Sequence, residues 1–567
     1  MFHSCYHAII FEFQSTVCII QRVICLDSEL IHDGQFNIGH ICMKQQCDNG
    51  LQEKVAMRFI SQALERTDYT FGDIERSSNR FANTLLGLGL SEGDIIFSFL
   101  PKCPEQFFSF LGILKIKAIA GTLFSSFGED ALLDRLGDSR AKCLITRRSS
   151  MKKINRIRER LRDLKYIILI DVPGHESPDI LSYSQLTQKA SDLFDVPQTG
   201  PETPSVLHYT SGSTGKPKGV LHLHRSILHQ SSTCKEILNL TDKDIYWCTA
   251  DQGWVTGTSY GIIGPWSLGI TQVHFAGGYD PALWFEILQR EKITIWYTAP
   301  TALRMLMQQS DDFFADYDLS NLKYIFSVGE PLNPEIVHWS RRVLKKEIYD
   351  TWFQTETGGI MISNRPGLTV KPGSMGKPVG SIEAAIIEDD GTIQPQDKRG
   401  NLCLKPGWPS MFSTYLNNRE AYESKFKNGF YYSGDTAYTD GEGYYWFTGR
   451  SDDVINTAGH LISPFEIESA LLEIPEIAES GVIGAPDDLL FEKVVAFVAL
   501  KEHQEWNKDL ELKIRIKVSN KVSTIATPQE IIVVDSVPKN KSGKIMRRVL
   551  KAIYKGEDPG DLSTMED

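Results

Sequence analysis

Short runs of continuously apolar residues alternate with stretches of helical periodicity along the N-terminal part of the chain. Residues 76–89 place apolar side chains at the spacing of one helix face. Residues 94–100 and 165–170 are short apolar runs of the kind that forms buried parallel strands. Two further runs, at residues 293–297 and 323–328, each lead into a helical stretch. The alternation predicts the layers of an α/β fold.

The pattern changes after about residue 370. Up to residue 450 the segments are short, glycine-rich and aromatic, as in Gly-Tyr-Tyr-Trp-Phe-Thr-Gly at residues 443–449, which predicts a small β-rich subdomain. Helix and strand signals then continue to about residue 554 and are followed by an acidic tail. We predict a large composite N-terminal α/β domain at residues 36–449 and a small α+β C-terminal domain at residues 454–567. Residues 1–35 form a leader extension of unknown role.

Charge narrows the range of partners. The 60 Lys and Arg residues are outnumbered by 72 Asp and Glu residues, so the formal net charge is −12. This balance argues against a general nucleic-acid binder, which needs a basic surface. Residues 536–555, however, contain seven Lys or Arg residues and no acid, so one local basic segment suits a phosphorylated small molecule.

Membrane and export signals are absent from the sequence pattern. The longest uncharged run, residues 252–279, contains seven glycines and one proline and would make a poor lipid-facing helix. The apolar first 26 residues lack a preceding basic segment. Five of the ten cysteines fall within the first 47 residues, without a Cys-x-x-Cys pair. We therefore predict a cytoplasmic protein with reduced thiols and no membrane partner.

The strongest local signal lies at residues 209–219, which read Tyr-Thr-Ser-Gly-Ser-Thr-Gly-Lys-Pro-Lys-Gly. Three glycines allow backbone amides to approach an anion, the hydroxyls add donors, and Lys216 and Lys218 add positive charge. The spacing differs from that of the P-loop, because Pro217 stands where the second glycine of that motif would be. The segment is predicted to bind phosphate.

Five further motifs follow in order and cover some 335 residues with this loop. They are Val-Gly-Glu-Pro at residues 328–331, Asp-Thr-Trp-Phe-Gln-Thr-Glu-Thr at 350–357, Tyr-Ser-Gly-Asp at 432–435, Thr-Gly-Arg-Ser-Asp-Asp at 448–453 and Pro-Lys-Asn-Lys-Ser-Gly-Lys at 538–544. Over roughly residues 36–555 the chain resembles the AMP-forming adenylating enzymes, which include acyl- and aryl-CoA ligases, luciferases and the adenylation domains of peptide synthetases.

The resemblance implies a reaction in two halves. A carboxylate attacks the α-phosphate of ATP to give acyl-AMP and pyrophosphate, and the thiol of coenzyme A then displaces AMP. The implied cofactors are ATP, Mg²⁺ and coenzyme A, with Glu356 as the Mg²⁺ ligand, Asp435 at the ribose and Arg450 near the ribose and α-phosphate. Trp352 stacks on adenine or packs in the core. The implied ATP- and AMP-binding residues are Thr210, Ser211, Gly212, Ser213, Thr214, Gly215, Lys216, Gly329, Glu330, Pro331, Asp350, Thr351, Trp352, Gln354, Thr355, Asp435 and Arg450.

The same resemblance assigns roles in the C-terminal part. Lys544 precedes a helix whose apolar positions share one face, and its ammonium is expected to contact the carboxylate and α-phosphate during adenylation. Residues 450–453 are the predicted hinge, with Asp452 as the pivot about which the small domain rotates. That rotation would bring the coenzyme A residues to the site, namely Ala458, Gly459 and His460. Leu461 stands where most relatives carry a phosphate-binding Arg, which puts that contact in doubt.

The acyl pocket points to short acids. Residues 251–261 and 297–301 resemble acetyl-CoA synthetases, and the pocket of that subfamily maps here onto Trp254, Val255, Thr256, Gly257 and Val328. Phe353 stands where a Trp usually forms the pocket floor. Because an aromatic ring still fills the volume that a longer chain would need, we expect acetate to be used and propionate tolerated. A medium-chain or aromatic acyl-CoA synthetase is the alternative.

Two motifs support competing interpretations. Gly-Thr-Ser-Tyr-Gly at residues 257–261 matches the nucleophile elbow of α/β-hydrolases, which would make Ser259 the nucleophile of an esterase or thioesterase. His222 and His224 are spaced as two metal ligands on one strand face, although no further cluster completes a site and packing is the favoured interpretation. The sequence leaves a homo-oligomer and the preferred reaction direction open.

Overall fold

A computed structural model describes residues 30–210, 217–450, 453–457, 460–487, 490–540 and 544–559, together with residues 562 and 565, and excludes the side chains of Asn456, Leu461 and Phe491. The strands are β1 (Val55–Ile60), β2 (Arg66–Thr70), β3 (Ile95–Phe99), β4 (Ile119–Leu123), β5 (Cys143–Thr146), β6 (Tyr166–Leu169), β7 (Ile180–Ser182), β8 (Pro204–Thr210), β9 (Lys218–Leu223), β10 (Ile245–Cys248), β11 (Thr271–Phe275), β12 (Ile295–Thr298), β13 (Tyr324–Val328), β14 (Ile348–Trp352), β15 (Ile362–Ser363), β16 (Lys377–Pro378), β17 (Ala384–Ile387), β18 (Gly400–Leu404), β19 (Thr414–Tyr415), β20 (Phe426–Lys427), β21 (Phe430–Thr439), β22 (Tyr445–Arg450), β23 (Ile455–Thr457), β24 (His460–Ile462), β25 (Ile477–Asp487), β26 (Phe491–Leu500) and β27 (Glu530–Val533).

The helices are α1 (Phe71–Gly87), α2 (Pro104–Lys115), α3 (Glu129–Asp138), α4 (Met151–Ile157), α5 (Tyr183–Lys189), α6 (Ser226–Glu236), α7 (Val255–Thr258), α8 (Gly264–Ser267), α9 (Pro281–Arg290), α10 (Pro300–Leu306), α11 (Pro334–Arg342), α12 (Arg419–Glu423), α13 (Pro464–Leu472), α14 (Lys508–Lys521) and α15 (Arg547–Lys555). Short π-helical turns span His40–Lys44, Cys47–Leu51 and Ser259–Ile263, and 3-10 turns span Arg148–Ser150, Arg158–Arg160 and Asp311–Asp316.

Two large sheets form the body of the N-terminal domain. The first has the strand order β19-β9-β8-β4-β3-β5-β6-β7, parallel from β8 to β7 with antiparallel β9 and β19 at one edge. The second has the order β16-β15-β14-β13-β12-β10-β11-β1-β2, parallel from β14 to β1. The predicted helix at residues 76–89 overlaps α1, which begins five residues earlier and ends at Gly87, and the predicted apolar runs form β3, β6, β12 and β13. The α/β fold class is therefore confirmed.

Helix α1 shows how local sequence fixes an element. The Thr70 hydroxyl accepts a hydrogen bond from the Asp73 N–H at 3.1 Å, and the Asp73 carboxylate accepts from the Thr70 N–H at 2.9 Å. This reciprocal pair satisfies two backbone donors at the start of the helix. Phe81 and Leu85 then face the core, where Phe81 stacks on Tyr183 with ring centroids 5.2 Å apart.

The predicted β-rich subdomain is confirmed as a separate five-stranded sheet. Its order is β17-β18-β21-β20, with β22 also paired to β21. Aromatic side chains fill its core, where Phe412 lies within about 6 Å of both Tyr415 and Tyr431. Asp435 lies in the middle of the long strand β21.

The C-terminal domain is built on a further five-stranded sheet, β24-β23-β26-β25 with β27 parallel to β26. Helices α13 and α14 cover it through a common cluster that includes Ile467, Leu471 and Ile514. The described contacts between this domain and the N-terminal domain are both polar and apolar: the Ser463 hydroxyl donates to the Thr448 carbonyl, the Asn333 amide donates to the Ser469 hydroxyl at 2.9 Å, Arg399 pairs with Glu466, and Phe447 packs edge-on against Phe465.

Two features of the structure concern the predicted location, namely the helices and the cysteines. None of the helices in the described part of the chain is long and apolar enough to cross a membrane. Each of the seven cysteines within the described ranges is a free thiol, and six of the seven are buried.

Gly121 is predicted to be essential for packing in the first sheet. A Cβ atom at this position would lie 2.1 Å from the Phe97 ring of the neighbouring strand, so Gly121→Ala should lower the free energy of unfolding by about 1–3 kcal/mol. Gly137→Ala is the control, since a Cβ there meets nothing within 4 Å and helix propensity favours Ala. Equal stability of the two variants in urea unfolding would contradict this account.

Candidate active site

The predicted site residues gather at the carboxyl ends of two neighbouring parallel strands, β13 and β14. Residues 329–331 follow β13, and residues 353–357 follow β14. The β-rich subdomain lies against these loops through Asp435 on β21. In open α/β sheets, ligands bind outside the carboxyl ends of the strands, so this cleft is the candidate active site.

Asp435 is the centre of the hydrogen-bond network in the cleft. Only 4% of its surface is exposed. One carboxylate oxygen accepts from Arg450 Nη1 at 2.9 Å, and the other accepts from Trp352 Nε1 at 3.0 Å and Gln354 Nε2 at 2.9 Å. The Tyr431 hydroxyl donates to Gln354 Oε1 at 2.9 Å and fixes that amide. Four residues predicted for the nucleotide therefore form one connected group.

Asp350 and Thr351 have a different placement, because both side chains are buried within the large sheet, where Asp350 contacts β13 and Thr351 contacts β13 and β12. The Asp350 carboxylate accepts from the Ser327 hydroxyl at 2.6 Å. The Thr351 hydroxyl donates to the Ser327 carbonyl at 2.7 Å and also lies 2.6 Å from the Tyr297 hydroxyl. Burial raises the pKa of Asp350 to about 7, against the hydrogen bond from Ser327. These two side chains hold the strands in place beneath the cleft.

The predicted nucleotide-binding residues 329–331 lie beside a second ion pair. Gly329 is exposed, and Glu330 accepts a hydrogen bond from the Thr301 hydroxyl at 2.8 Å and pairs with Arg304. Pro331 is half-buried. The Glu330 side chain is thus directed to α10, and the open face of the loop is formed mainly by backbone.

Glu356 marks the opposite end of the cleft. Its Oε1 accepts from the Tyr415 hydroxyl at 2.7 Å, and the Lys218 ammonium lies over the Tyr415 ring at 5.4 Å. Burial, together with Glu356, raises the pKa of Tyr415 well above its usual range. Thr210 and Lys218 pair in register on β8 and β9, which brings both ends of the predicted phosphate loop close to Glu356. The loop residues themselves lie outside the described residues: Ser211, Gly212, Ser213, Thr214, Gly215 and Lys216.

Thr355 is held by its backbone, since its carbonyl lies 2.8 Å from His222 Nε2.

Lys544 reaches the cleft from the C-terminal domain. Its N–H donates to Asn540 Oδ1 at 2.9 Å, which anchors the turn before α15. The residue as a whole is exposed, yet burial of the ammonium and repulsion from Arg450 lower the pKa of Lys544, while Asp435 and Asp453 attract it. Lys544 is thus within electrostatic range of the Asp435–Arg450 pair, and its role in adenylation stays a prediction.

Other predicted C-terminal residues are less well described. The pivot Asp452 and the coenzyme A residues Ala458 and Gly459 lie outside the described residues. His460 is exposed at the start of β24, where it pairs with Thr457. The side chain of Leu461 is not described.

The acyl-pocket residues form two groups. Val328 and Phe353 belong to one apolar cluster, in which Phe353 packs edge-on against Tyr260 with ring centroids 5.4 Å apart. Trp254 precedes α7 and packs against Phe124 with centroids 4.8 Å apart. Val255, Thr256 and Gly257 are buried in α7 itself. The next turn, Ser259–Ile263, contains Tyr260.

The competing interpretations do not fit the geometry. Ser259 is only 2% exposed; its hydroxyl donates to the Gly358 carbonyl at 3.1 Å and accepts from Gln230 at 2.9 Å, which is not the arrangement of an activated nucleophile. His222 bonds the Thr355 carbonyl and His224 accepts from the Ile38 N–H. Within the described residues, no group of three metal-ligating side chains occurs. Both histidines are buried and hydrogen-bonded to the backbone, as side chains that pack in a core are.

Tyr415 and Tyr431 were not predicted, although each positions a functional side chain. They lie in the aromatic β-rich segment, where spacing does not distinguish a core tyrosine from one that faces the cleft. Only their hydrogen bonds to Glu356 and Gln354 reveal the difference.

Comparison with known proteins identifies the family of this chain. The family model described as AMP-binding enzyme matches residues 44–416, and that of the AMP-binding enzyme C-terminal domain matches residues 466–544. An acetyl-coenzyme A synthetase of Bacillus subtilis is 45% identical over 536 residues, which cover 94% of this chain and 93% of that protein. One from Pyrobaculum aerophilum is 36% identical over 94% of this chain and 85% of that protein. The crystal structure of the anthranilate CoA ligase AuaEII with anthranoyl-AMP superposes with a TM-score of 0.84, at 29% identity, over 92% of this chain and 98% of that chain.

The raised pKa of Asp350 predicts a specific pH dependence of stability. Between about pH 4 and about pH 7 the folded chain retains a proton that the unfolded chain loses, so stability falls as the pH rises through this window. Asp350→Asn should remove that contribution, which amounts to at most about 1.4 kcal/mol per pH unit. Urea unfolding at about pH 5 and about pH 8 measures it, with the exposed Asp195→Asn as control. A wild-type pH slope in Asp350→Asn would contradict the assignment.

Proposed function

Because this chain belongs to the family of AMP-binding enzymes, we propose that it ligates acetate or another short-chain carboxylic acid to coenzyme A with ATP. The reaction proceeds through an acyl-adenylate and releases pyrophosphate and then AMP. The observation that carries the proposal is that Lys544 of the C-terminal domain lies within electrostatic range of Arg450 and Asp435, which form an ion pair in the β-rich subdomain. This arrangement is what an anionic nucleophile attacking a polyanion requires.

In the first half-reaction the chain provides binding and charge. Asp435 offers a carboxylate with about four acceptor positions, three of which are taken by Arg450, Trp352 and Gln354. One ribose hydroxyl fits the remaining position, and a second hydroxyl requires Gln354 or Trp352 to release its bond. Lys544 and Arg450 stabilise the charge that develops on the α-phosphate oxygens.

Glu356 is suited to hold Mg²⁺. Its Oε1 accepts from Tyr415, and no described residue donates a hydrogen bond to Oε2, which leaves a hard carboxylate oxygen of the kind that Mg²⁺ prefers. When bound there, Mg²⁺ would neutralise charge on the outer phosphates. Thr210, Lys218 and the segment between them supply the remaining phosphate contacts in this proposal.

The second half-reaction needs the C-terminal domain in another orientation. We place the pivot at Asp452, and Ala458, Gly459 and His460 along the path of coenzyme A. The described contacts between the domains include polar pairs, such as Asn333 with Ser469 and Arg399 with Glu466, which are compatible with such a motion.

The acyl pocket favours small acids. Phe353 packs against the apolar cluster that contains Val328 and Tyr260, and the chain is 45% identical to an acetyl-coenzyme A synthetase. We propose acetate as the substrate, with propionate accepted. A cytoplasmic location suits ATP, coenzyme A and the free thiols.

Acid-dependent exchange of pyrophosphate with ATP tests the proposal. Acetate should support exchange, and acetate with coenzyme A should release AMP. Lys544→Ala should abolish exchange, because the cation at the α-phosphate is lost, while thioester formation from supplied acetyl-AMP is largely retained. Lys555→Ala, at the exposed end of α15, is the control. No exchange with any acid from acetate to hexanoate and benzoate would refute the function, and equal loss of both half-reactions would refute the role of Lys544.

The ring at position 353 should set the limit on acyl length. Phe353→Trp should reduce the ratio of kcat/KM for propionate to that for acetate by about tenfold or more, whereas Phe353→Ala should admit butanoate and longer acids, since a pocket discriminates about 1–3 kcal/mol per methylene. The KM for ATP serves as the internal control. If the propionate-to-acetate ratio is the same in all three proteins, Phe353 does not form the pocket floor.

A further inference from the structure

Lys425 lies beside the cleft without a role in the function described so far. It connects α12 to β20, and its backbone is fixed at both ends: its N–H donates to the Tyr422 carbonyl at 3.0 Å, and its carbonyl accepts from the Tyr432 N–H at 2.8 Å. The following strand, β21, carries Asp435. The position of Lys425 is therefore set by the same hairpin that sets Asp435.

The ammonium of Lys425 points to the open face of Gly434. A Cβ built on Gly434 would lie 3.6 Å from Lys425 Nζ and 3.3 Å from Arg450 Nη2. Gly434 has a φ of +79°, a conformation that favours glycine and leaves this face without a side chain. Two cations thus lie next to each other around a small uncovered patch of backbone.

The surrounding charges leave this ammonium without a partner. Burial lowers the pKa of Lys425; Glu356 and Asp435 raise it, and Arg450 and Lys218 lower it. Asp435 already accepts from Arg450, and Glu356 from Tyr415. Among the described residues, none forms a hydrogen bond or ion pair with Lys425 Nζ. A partly buried cation of this kind is stabilised by an anion, and none of the described side chains provides one within hydrogen-bond distance.

We propose that Lys425 is a further phosphate-binding residue and that its ligand is the polyphosphate of the nucleotide, as ATP before adenylation and as pyrophosphate after it. Lys425 lies between the ribose side of the cleft, marked by Asp435 and Arg450, and the outer-phosphate side, marked by Glu356 and Lys218. A polyphosphate chain that joins these two sides passes the ammonium. This inference rests on the proposed function.

Calorimetric binding of magnesium pyrophosphate and of MgATP to the full chain tests the proposal directly. Lys425→Met should weaken both by about 10- to 100-fold, the size expected for loss of a charge-assisted hydrogen bond, and Lys425→Arg should restore most of the affinity. Lys427→Met is the matched control: it removes the same charge two residues away, where the side chain is exposed and lies over the Tyr432 ring at 6.0 Å. Its binding should remain within about twofold of wild type.

Steady-state kinetics separates this role from a structural one. In Lys425→Met the KM for ATP should rise while the KM for acetate stays unchanged, and Lys425→Gln provides a second variant if the Met variant does not fold. Wild-type affinity for pyrophosphate in a folded Lys425 variant, or an equal loss in Lys427→Met, would overturn the proposal. Because calorimetry needs no turnover, a failure of acid-dependent exchange refutes the ligase function without deciding the role of Lys425.

Discussion

The buried carboxylate of Asp435 is the constraint on which the architecture of the site depends. A carboxylate that is almost removed from water must be matched by hydrogen-bond donors. Here the donors are Trp352 at the end of β14, Gln354 just after it, and Arg450 at the end of β22. These donors belong to two different sheets. Asp435 therefore fixes the relative positions of the large parallel sheet, the β-rich subdomain and the start of the segment between the domains. Displacement of any of these three parts would leave a buried charge unpaired.

A second ion-paired group determines how the C-terminal domain behaves. Arg547 binds both oxygens of Glu468 at 2.7 Å and approaches Asp453 at 3.3 Å. Asp453 follows the proposed pivot, Glu468 lies on α13, and Arg547 begins the helix that follows Lys544. These ion pairs connect the segment after the proposed pivot with helices α13 and α15. We therefore expect Lys544 to move together with the small domain.

The charge distribution separates the site from the remainder of the surface. The chain is acidic overall, yet Lys218, Lys425, Arg450 and Lys544 converge on the cleft, where the described acids near them include Asp435, Glu356 and Asp453. Holding cations in fixed positions is unfavourable without a ligand, since they repel one another and lose water. The same arrangement favours a bound polyphosphate, because little reorganisation is needed when negative charge develops. Part of the folding stability is therefore given up for a preorganised anion site.

Hydrophobic periodicity was sufficient to predict α1, β3, β6, β12 and β13. The spacing of apolar residues within one segment decides which face of a helix or strand is buried, so this information is local. The ordered motifs identified the family and the general position of the cleft for a similar reason: each motif is a continuous segment. The sequence could not distinguish Asp350 and Thr351, which support the strands, from Trp352 and Gln354, which face Asp435, although all four belong to one motif. Nor could it single out Lys425, Tyr415 or Tyr431 among many similar residues. Those roles depend on distances between segments far apart in the chain, and only the packing of the sheets against one another sets those distances.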